Sequence, residues 1–427
     1  MRPEYSYRTR HVCQISGRMI LLGLLLMVAA GCADRQRRNP LDPDAESPLD
    51  VLSPLGALAE DGRVRLQWDL TRLSDLEGLR IYRVGGPEGS EVIELPPSDS
   101  VYTDEDVTNG FIYRYSLSML VKEEGEIFVG DAQLATPGPE ISWLADRGSG
   151  LVWRLSADGR TGLFAQGRFP SIAAIAVDAT SGDCWVSDRR FRSLHRIDST
   201  GGLDRIGADL EAGGDLVIDG PGRRGWVVDR FGFEVYSFGL DAVDDTLHLK
   251  EIDATFQDEV ELAEQNGSLW IADRQGERVL LYDASGARVF EWQGIEGLIK
   301  IDASAGSDRA WILANDGLTL MLLVPGHPPL EIFMPFVDAA VALDVGDVRG
   351  DVWVAGPADV VAYTNVGVPI LHWDNVSDTR AVAIDERNEH VWFAASTRLW
   401  KVSLEAAYQT QLMGFTETVD VVVHSGN

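Results

Sequence analysis

An aspartate followed by an arginine recurs four times, at intervals of about forty residues. Guanidinium groups match carboxylates and sulfates through two parallel hydrogen bonds, so four of them at one repeat position predict a crescent that binds an anionic group. The alternative is structural: an aspartate at a strand end accepts bonds from the following amides as an Asx turn, and the arginine pairs with it or covers a tryptophan. Both interpretations remain open. The pairs are Asp146-Arg147, Asp188-Arg189, Asp229-Arg230 and Asp273-Arg274.

Signals for catalysis are weak. The six histidines after residue 139 share no repeat position and no metal-ligand spacing; they are His195, His248, His327, His372, His390 and His424. His424 is the one that could face a channel mouth as a general base, and a solvated terminus is the favoured alternative. The sequence has no glycine-rich phosphate loop and no Gly-x-Ser-x-Gly motif. We therefore expect no catalytic residues, no metal and no cofactor, and an enzyme is the less favoured prediction.

The N-terminus carries a targeting signal. Four arginines precede residue 19, and residues 19–30 contain no charge. Twelve residues are too few for a transmembrane helix, which needs about 20, but they suit a signal peptide. The following Ala29-Ala30-Gly31-Cys32 resembles a bacterial lipobox, with Ala29 where leucine is usual. The resemblance implies a signal peptide over residues 1–31 and a lipid anchor on Cys32.

Cysteine content and charge limit the partners. Without Cys13 in the leader and Cys32 at the anchor, Cys184 alone remains, so an intramolecular disulfide is excluded. Cys184 precedes Trp185 in an apolar run, which favours a buried side chain over a reactive thiol. The net charge is −30, and loss of four arginines and one glutamate with the leader makes it −33. Such a field repels nucleic acid and anionic lipid, so we expect contact with the membrane only through the anchor.

Two segments precede the repeats. Residues 32–53 contain three prolines among charged residues, which predicts an extended tether. Residues 54–138 contain short alternating strands, among them residues 64–68, 79–84 and 111–117. An early Trp68, a later Tyr113-Arg114-Tyr115 and a closing Thr136-Pro137 resemble a fibronectin type III domain. The resemblance implies that Tyr113 is the corner tyrosine whose hydroxyl caps a loop backbone.

A tryptophan repeat dominates the remaining residues, 139–427. Seven tryptophans recur at spacings of 42, 41, 44, 41, 42 and 39: Trp143, Trp185, Trp226, Trp270, Trp311, Trp353 and Trp392. Apolar strands precede each one, and no stretch keeps a helical period. A period near 41 with strands about ten residues apart predicts four-stranded propeller blades.

The ends of the repeat predict how the ring closes. The first copy, at residues 141–144, lacks an innermost strand, and residues 419–424 form an innermost strand with no blade after it. Joining them removes the open edge and gives seven blades. The repeats resemble NHL-type propellers, which often have six blades, and the seven-bladed YVTN and virginiamycin B lyase groups, so six remains the alternative.

The sequence thus predicts an all-β, lipid-anchored protein of the cell envelope, in which a fibronectin-like sandwich precedes a propeller that binds a protein or glycan. The alternative is a propeller lyase or hydrolase acting on a lactone or polysaccharide, which a divalent metal in the channel would favour. Ala33, behind the anchor, favours the outer membrane by resemblance to enterobacterial sorting.

Overall fold

The computed structural model describes residues 53–70, 76–199, 201–207, 210–231, 233–241, 250–253, 256, 260–303, 308–374, 376–404 and 409–425. The predicted signal peptide, Cys32 and all but the last residue of the tether lie outside these ranges. The described residues form strands and turns without a helix, so this part of the chain holds no helix able to cross a membrane. The predicted all-β class is confirmed.

The first seven strands form two sheets that share one core. One sheet has the order β1-β2-β5 and the other β4-β3-β6-β7. Alternate residues of both sheets point inward, as in a sandwich, and Leu66, Ile81 and Tyr115 lie at its centre. The strands are β1 (Ser53–Glu60), β2 (Arg63–Asp69), β3 (Leu76–Gly85), β4 (Gly89–Leu95), β5 (Val101–Asp104), β6 (Tyr113–Val121) and β7 (Gly125–Ala135).

Two polar contacts support this sandwich. The hydroxyl of Tyr113 accepts a hydrogen bond from the Thr108 amide at 2.7 Å, the contact expected of a corner tyrosine. The buried Arg83 guanidinium donates to Asp104 at 2.9 Å and joins β3 to β5 across the two sheets. The membership of this sandwich in the fibronectin type III family remains a prediction.

The later strands form seven four-stranded antiparallel sheets. We call the sheet that contains both ends of this range the closing sheet, and number the others blades 1 to 6 in chain order. The closing sheet begins with β8 (Ile141–Asp146), β9 (Leu151–Leu155) and β10 (Gly162–Gln166). Blade 1 has β11 (Ile172–Val177), β12 (Cys184–Asp188), β13 (Ser193–Ile197) and β14 (Leu203–Gly207). Blade 2 has β15 (Gly213–Asp219), β16 (Arg224–Asp229), β17 (Glu234–Gly239) and β18 (Lys250–Asp253).

The remaining blades follow the same pattern. Blade 3 has β19 (Val260–Gln265), β20 (Ser268–Asp273), β21 (Arg278–Tyr282) and β22 (Arg288–Gln293). Blade 4 has β23 (Lys300–Ala303), β24 (Ala310–Ala314), β25 (Thr319–Leu323) and β26 (Leu330–Ile332). Blade 5 has β27 (Ala342–Val345), β28 (Val352–Ala355), β29 (Val360–Tyr363) and β30 (Pro369–Trp373). Blade 6 has β31 (Thr379–Asp385), β32 (His390–Ala395), β33 (Arg398–Ser403) and β34 (Gln409–Met413), and β35 (Thr418–His424) ends the chain.

The last strand closes a ring. β35 pairs with β8, with Val422 opposite Trp143, and becomes the innermost strand of the closing sheet. Each innermost strand contacts the next around the axis, and β35 contacts both β11 and β31. This is a β-propeller in which closure leaves no innermost strand without neighbours. The described sheets of this range number seven, as the tryptophan repeat indicates.

The repeated tryptophans explain why the sheets stack. Each lies on the second strand of its sheet, and all seven are at most 3% exposed. Trp185 of blade 1, for example, packs with Leu216 and Phe238 of blade 2. One aromatic side chain buries about 150–250 Å², so a tryptophan in every sheet gives each blade an apolar face that only its neighbour covers.

Candidate functional site: the mouth and wall of the propeller channel

The aspartates of the four repeated pairs are buried and hydrogen-bonded to backbone. In three of them the carboxylate, at the end of the second strand, accepts amides from the loop that enters the innermost strand of the same sheet. These bonds, each 2.7 Å long, join Glu417 N to Asp146, Ser171 N to Asp188 and Glu211 N to Asp229. Asp273 instead accepts the Gly276 amide in its own turn and the Arg278 guanidinium, both at 2.9 Å. Of these bonds, only the one from the Gly276 amide to Asp273 is the bond to a following amide that the structural interpretation predicts. The other three carboxylates hold a loop that the sequence does not place beside them.

The same loops define one end of the channel, which we call the mouth. Because each aspartate ends a second strand beside the start of an innermost strand, the four arginines that follow all lie at this end. The backbone of Arg189 confirms the position, since its amide bonds to the Ser171 carbonyl at 2.9 Å. The amide of Arg230 likewise bonds to the Ala212 carbonyl at 3.0 Å.

The four arginine side chains fall into two classes. Arg147 donates from Nε to the Ile172 carbonyl of blade 1 at 3.1 Å. Arg274 reaches Asp316 of blade 4, with 3.4 Å between Nη2 and Oδ1. Arg189 and Arg230, on adjacent blades, line the channel cavity. The structure therefore brings two of the four arginines to the cavity, while the other two contact neighbouring sheets. Ligand binding by any of them remains a prediction.

Glycine at position 214 allows Arg230 to lean over the channel wall. A Cβ at this position would lie 2.9 Å from Cγ of Arg230 and 2.9 Å from Cβ of Val228. The stem of Arg230 therefore crosses the innermost strand of blade 2, directly before Asp215. Any larger residue at position 214 would displace it.

All seven innermost strands contribute to the wall of the cavity. The cavity has a volume of about 260 Å³. Side chains alternate along a strand, so every second residue shares a face. The residue two places before the partner of the repeated tryptophan lines the cavity on all seven strands, and the residue opposite the tryptophan lines it on three of them, at Asp302, Asp344 and Val422. The position nearer the mouth, which we call the upper layer, holds Ala174, Asp215, Glu261, Lys300, Ala342, Ala381 and Asp420. The position opposite the tryptophan, the lower layer, holds Ala176, Val217, Ala263, Asp302, Asp344, Ala383 and Val422.

Carboxylates of these layers bridge neighbouring blades. An innermost strand has one edge without a partner strand, and its buried amides need acceptors. Four aspartates supply them by accepting an amide of the next innermost strand around the ring. The bonds run from Leu262 N to Asp215 at 2.7 Å, Val345 N to Asp302 at 2.7 Å, Ile384 N to Asp344 at 2.5 Å and Ile175 N to Asp420 at 3.4 Å.

Lys300 is the cation of the upper layer. Its ammonium pairs with Glu261 of the adjacent blade. Burial lowers the pKa of Lys300, but the carboxylates of Glu261, Asp215 and Asp420 outweigh burial and raise it above its ordinary value. The upper layer thus holds one permanent ammonium among three acidic side chains.

Burial raises the pKa of the channel aspartates. The pKa of Asp420 rises to about 6, although Lys300 opposes the shift. The pKa of Asp302 rises to about 7 through burial, against the amide bonds from Ala303 and Val345. The pKa of Asp344 rises well above its usual value through burial and the charge of Asp302 beside it. The lower layer therefore holds two adjacent carboxyl groups, Asp302 and Asp344, whose pKa values burial raises.

The other candidates lie away from the mouth. His424 ends β35, so it sits at the opposite end of the channel from Arg189 and Arg230, and burial lowers its pKa. The Cys184 thiol is buried, and burial raises its pKa, as expected for an inert side chain. Within the described ranges, no three His, Cys, Asp or Glu side chains are placed to hold a metal ion together.

The charged channel residues were missed by the sequence reasoning. Residues at the two inward positions vary between alanine, valine, acids and lysine, so they show no period of their own. Their signal is indirect: each stands at a fixed strand register relative to a tryptophan. Aligning the strands on the tryptophans would have placed Asp215, Glu261, Lys300 and Asp420 in one layer.

Comparison with known proteins supports the fold alone. No family model and no curated protein matches the chain. Among solved structures, a functionally unknown protein from Desulfotomaculum acetoxidans aligns with a TM-score of 0.55 at 12% identity, covering 67% of this chain and 99% of that one. A streptogramin B lyase aligns with a TM-score of 0.51 at 13% identity, covering 59% of this chain and 87% of that one. The predicted propeller is thereby confirmed.

Proposed function

We propose that this protein is a lipid-anchored binding protein of the cell envelope whose propeller recognises an anionic group of a protein or glycan. The observation that carries the proposal is the pair Arg189 and Arg230, which adjacent blades present to one cavity. Guanidinium groups bind carboxylates and sulfates through two directed hydrogen bonds. The protein as a whole has a net charge of −30, so a cationic pair at a cavity mouth is a local exception that attracts anions to this place.

The pair lies within a mouth of uneven charge. Arg147 and Arg274 lie at the same end, on the closing sheet and blade 3. The equivalent turns of blades 4 to 6 carry Asn315-Asp316, Gly356-Pro357 and Ala395-Ser396. The closing sheet and blades 1 to 3 therefore carry the repeated arginines, and Arg380 of blade 6, which pairs with Asp378, adds a further guanidinium to the cavity wall. A partner's acidic group is expected to bind at Arg189 and Arg230.

Exchange of the two arginines tests this proposal. The full-length protein in detergent is titrated calorimetrically with sodium sulfate and with oligogalacturonate, a glycan with one carboxylate per sugar. Replacing Arg189 and Arg230 by Gln keeps length and removes charge, and Kd should rise at least tenfold, about 1.4 kcal/mol. Arg288→Gln, on the outermost strand of blade 3, is the matched control and should leave Kd unchanged. If the double variant loses melting temperature and keeps its affinity, the arginines are structural.

The envelope location is part of the proposal, supported by the resemblance of residues 29–32 to a lipobox. A lipid on Cys32 and the following tether would hold the sandwich and propeller near the membrane, and Ala33 favours the outer membrane. Labelled palmitate should enter the wild-type protein and not Cys32→Ser. The variant should also leave the membrane fraction, because it lacks the acyl chains that give stable anchoring. Equal labelling of the two proteins would contradict the anchor.

A further inference from the structure

The channel wall reverses charge a short way below the arginine pair. Arg189 and Arg230 stand at the mouth, and the upper layer beneath them carries Asp215, Glu261 and Asp420 against the single ammonium of Lys300. Arg230 crosses Gly214 directly before Asp215, so the cationic and acidic parts of the wall adjoin on one strand. An anion held by the arginines therefore cannot extend deeper without meeting carboxylates.

Lys300 shows which chemistry the upper layer accepts. Its ammonium lies on the wall, paired with Glu261, and 39% of its side chain and 29% of the Glu261 side chain remain accessible. Asp215 and Asp420 act on the same ammonium through their charges. The protein thus already places one cation among these carboxylates, and three acidic groups exceed the one charge they surround.

Small side chains in the upper layer leave room for a ligand. Ala381 of blade 6 and Ala174 of blade 1 flank Asp420 of the closing sheet, Ala342 of blade 5 follows beside Ala381, and all of them line the cavity. An entering group therefore meets the Asp420 carboxylate between small side chains. A slender group fits such a space better than a broad one.

We infer that the channel binds a zwitterionic group, whose anion contacts Arg189 and Arg230 and whose cation enters the upper layer beside Asp215, Glu261 and Asp420. The class includes free amino acids and other chains that carry an ammonium a few bonds from a carboxylate. The inference rests on the proposed anion site and adds the chemistry of the group next to the anion.

Calorimetric titration of the full-length protein with matched small molecules tests the inference. The probes are propionate, propylamine, and the amino acids glycine, β-alanine, 4-aminobutanoate and 6-aminohexanoate, which carry both charges at increasing separation. We expect at least one of these amino acids to bind ten times more tightly than either singly charged probe. The best chain length measures the distance between the two charges in the site.

Glu261→Gln is the informative variant, because the Glu261 carboxylate pairs with Lys300. It should reduce the advantage of the amino acids and raise the affinity for propionate, since Lys300 then has fewer opposing charges. Asp420→Asn is the second variant and should also reduce the advantage. Glu331→Gln on the exposed outermost strand of blade 4 is the control. Melting curves verify that each variant folds.

The outcomes separate the two proposals. If propionate binds through the arginines and the amino acids gain nothing, the anion site stands and the zwitterion inference is wrong. If no probe binds, or if Arg230→Gln leaves the affinity for propionate unchanged, the anion site itself fails. An amino-acid advantage that survives both Glu261→Gln and Asp420→Asn would also contradict the inference.

Discussion

Two buried carboxyl groups of this protein hold separate parts of the chain together, and their pKa values move in opposite directions. Glu140 lies at the junction of sandwich and propeller, where Lys401 of blade 6 donates to it at 2.6 Å and His390 lies 2.9 Å away. Asp302 lies in the channel, where it accepts the Val345 amide and has Asp344 beside it. One carboxyl has the Lys401 ammonium as a neighbour, and the other has a second carboxyl.

Burial alone would raise both pKa values. At Glu140 the hydrogen bond from His390 and the charge of Lys401 overcome burial and lower the pKa to about 2. At Asp302 the amide bonds do not overcome burial, and the pKa rises to about 7. The junction therefore loses stability as pH falls from about 4.5 toward 2, whereas the channel loses stability as pH rises from about 4 to 7. The comparison teaches that burial raises the pKa of a carboxyl group unless a neighbouring cation outweighs it, as Lys401 does at Glu140.

The junction joins the two domains by more than this pair. The Ala157 amide of the propeller donates to the Ala59 carbonyl of the sandwich at 2.9 Å. Lys401 also donates to the Ala157 carbonyl at 2.5 Å. Lys401 therefore supports, from within the propeller, the Ala157 peptide segment that bonds to the sandwich.

Removing the cation at the junction should have the larger effect. Lys401→Met keeps the length of the side chain and leaves Glu140 buried without its ammonium, so the free energy of unfolding should fall by about 3–5 kcal/mol. Urea unfolding measures the change. The double variant Lys401→Met with Glu140→Gln should recover part of it, because the uncompensated charge is gone.

The matched control is Lys122→Met, at an exposed turn of the sandwich, where we expect a change within about 0.5 kcal/mol. A loss below about 1 kcal/mol in Lys401→Met, or no recovery in the double variant, would contradict the assignment of Glu140 as a charge that depends on Lys401.

The propeller was predictable from the sequence because its signal is periodic. Tryptophans that must be buried between sheets recur once per sheet, and Val419 to His424 had to pair somewhere as an apolar strand. The structure confirms that this strand pairs with residues 141–146. The aspartates at strand ends followed from local chemistry only in part: Asp188 accepts the following Arg190 amide at 2.8 Å, but Asp146 accepts the Glu417 amide, 271 residues away.

The sites that depend on distant pairs were not predictable. Glu140 and Lys401 are 261 residues apart and belong to no repeat. The arginine pairs show the same limit: four identical motifs predicted four equivalent side chains, but the structure gives two that line the cavity and two that contact neighbouring sheets. The repeat fixes the backbone position of Arg147 and Arg274, and their neighbours Ile172 and Asp316 decide where the side chains go.

The channel pair should give a smaller effect of opposite sign. Because folded Asp302 keeps a proton up to about pH 7 that the unfolded chain releases near pH 4, stability should fall by about 1–3 kcal/mol between pH 5 and pH 8. Glu264, whose pKa burial raises to about 7, contributes in the same window, so the wild-type slope alone does not identify Asp302. Asp302→Asn does, since its amide oxygen can still accept the Val345 amide while the titrating group is gone. The melting temperatures at pH 5 and pH 8 should differ less for the variant than for the wild type. The variant should melt at a higher temperature than the wild type at pH 8. An unchanged difference would mean that the lower layer does not carry the titrating pair, and that the contrast with Glu140 rests on burial of other groups.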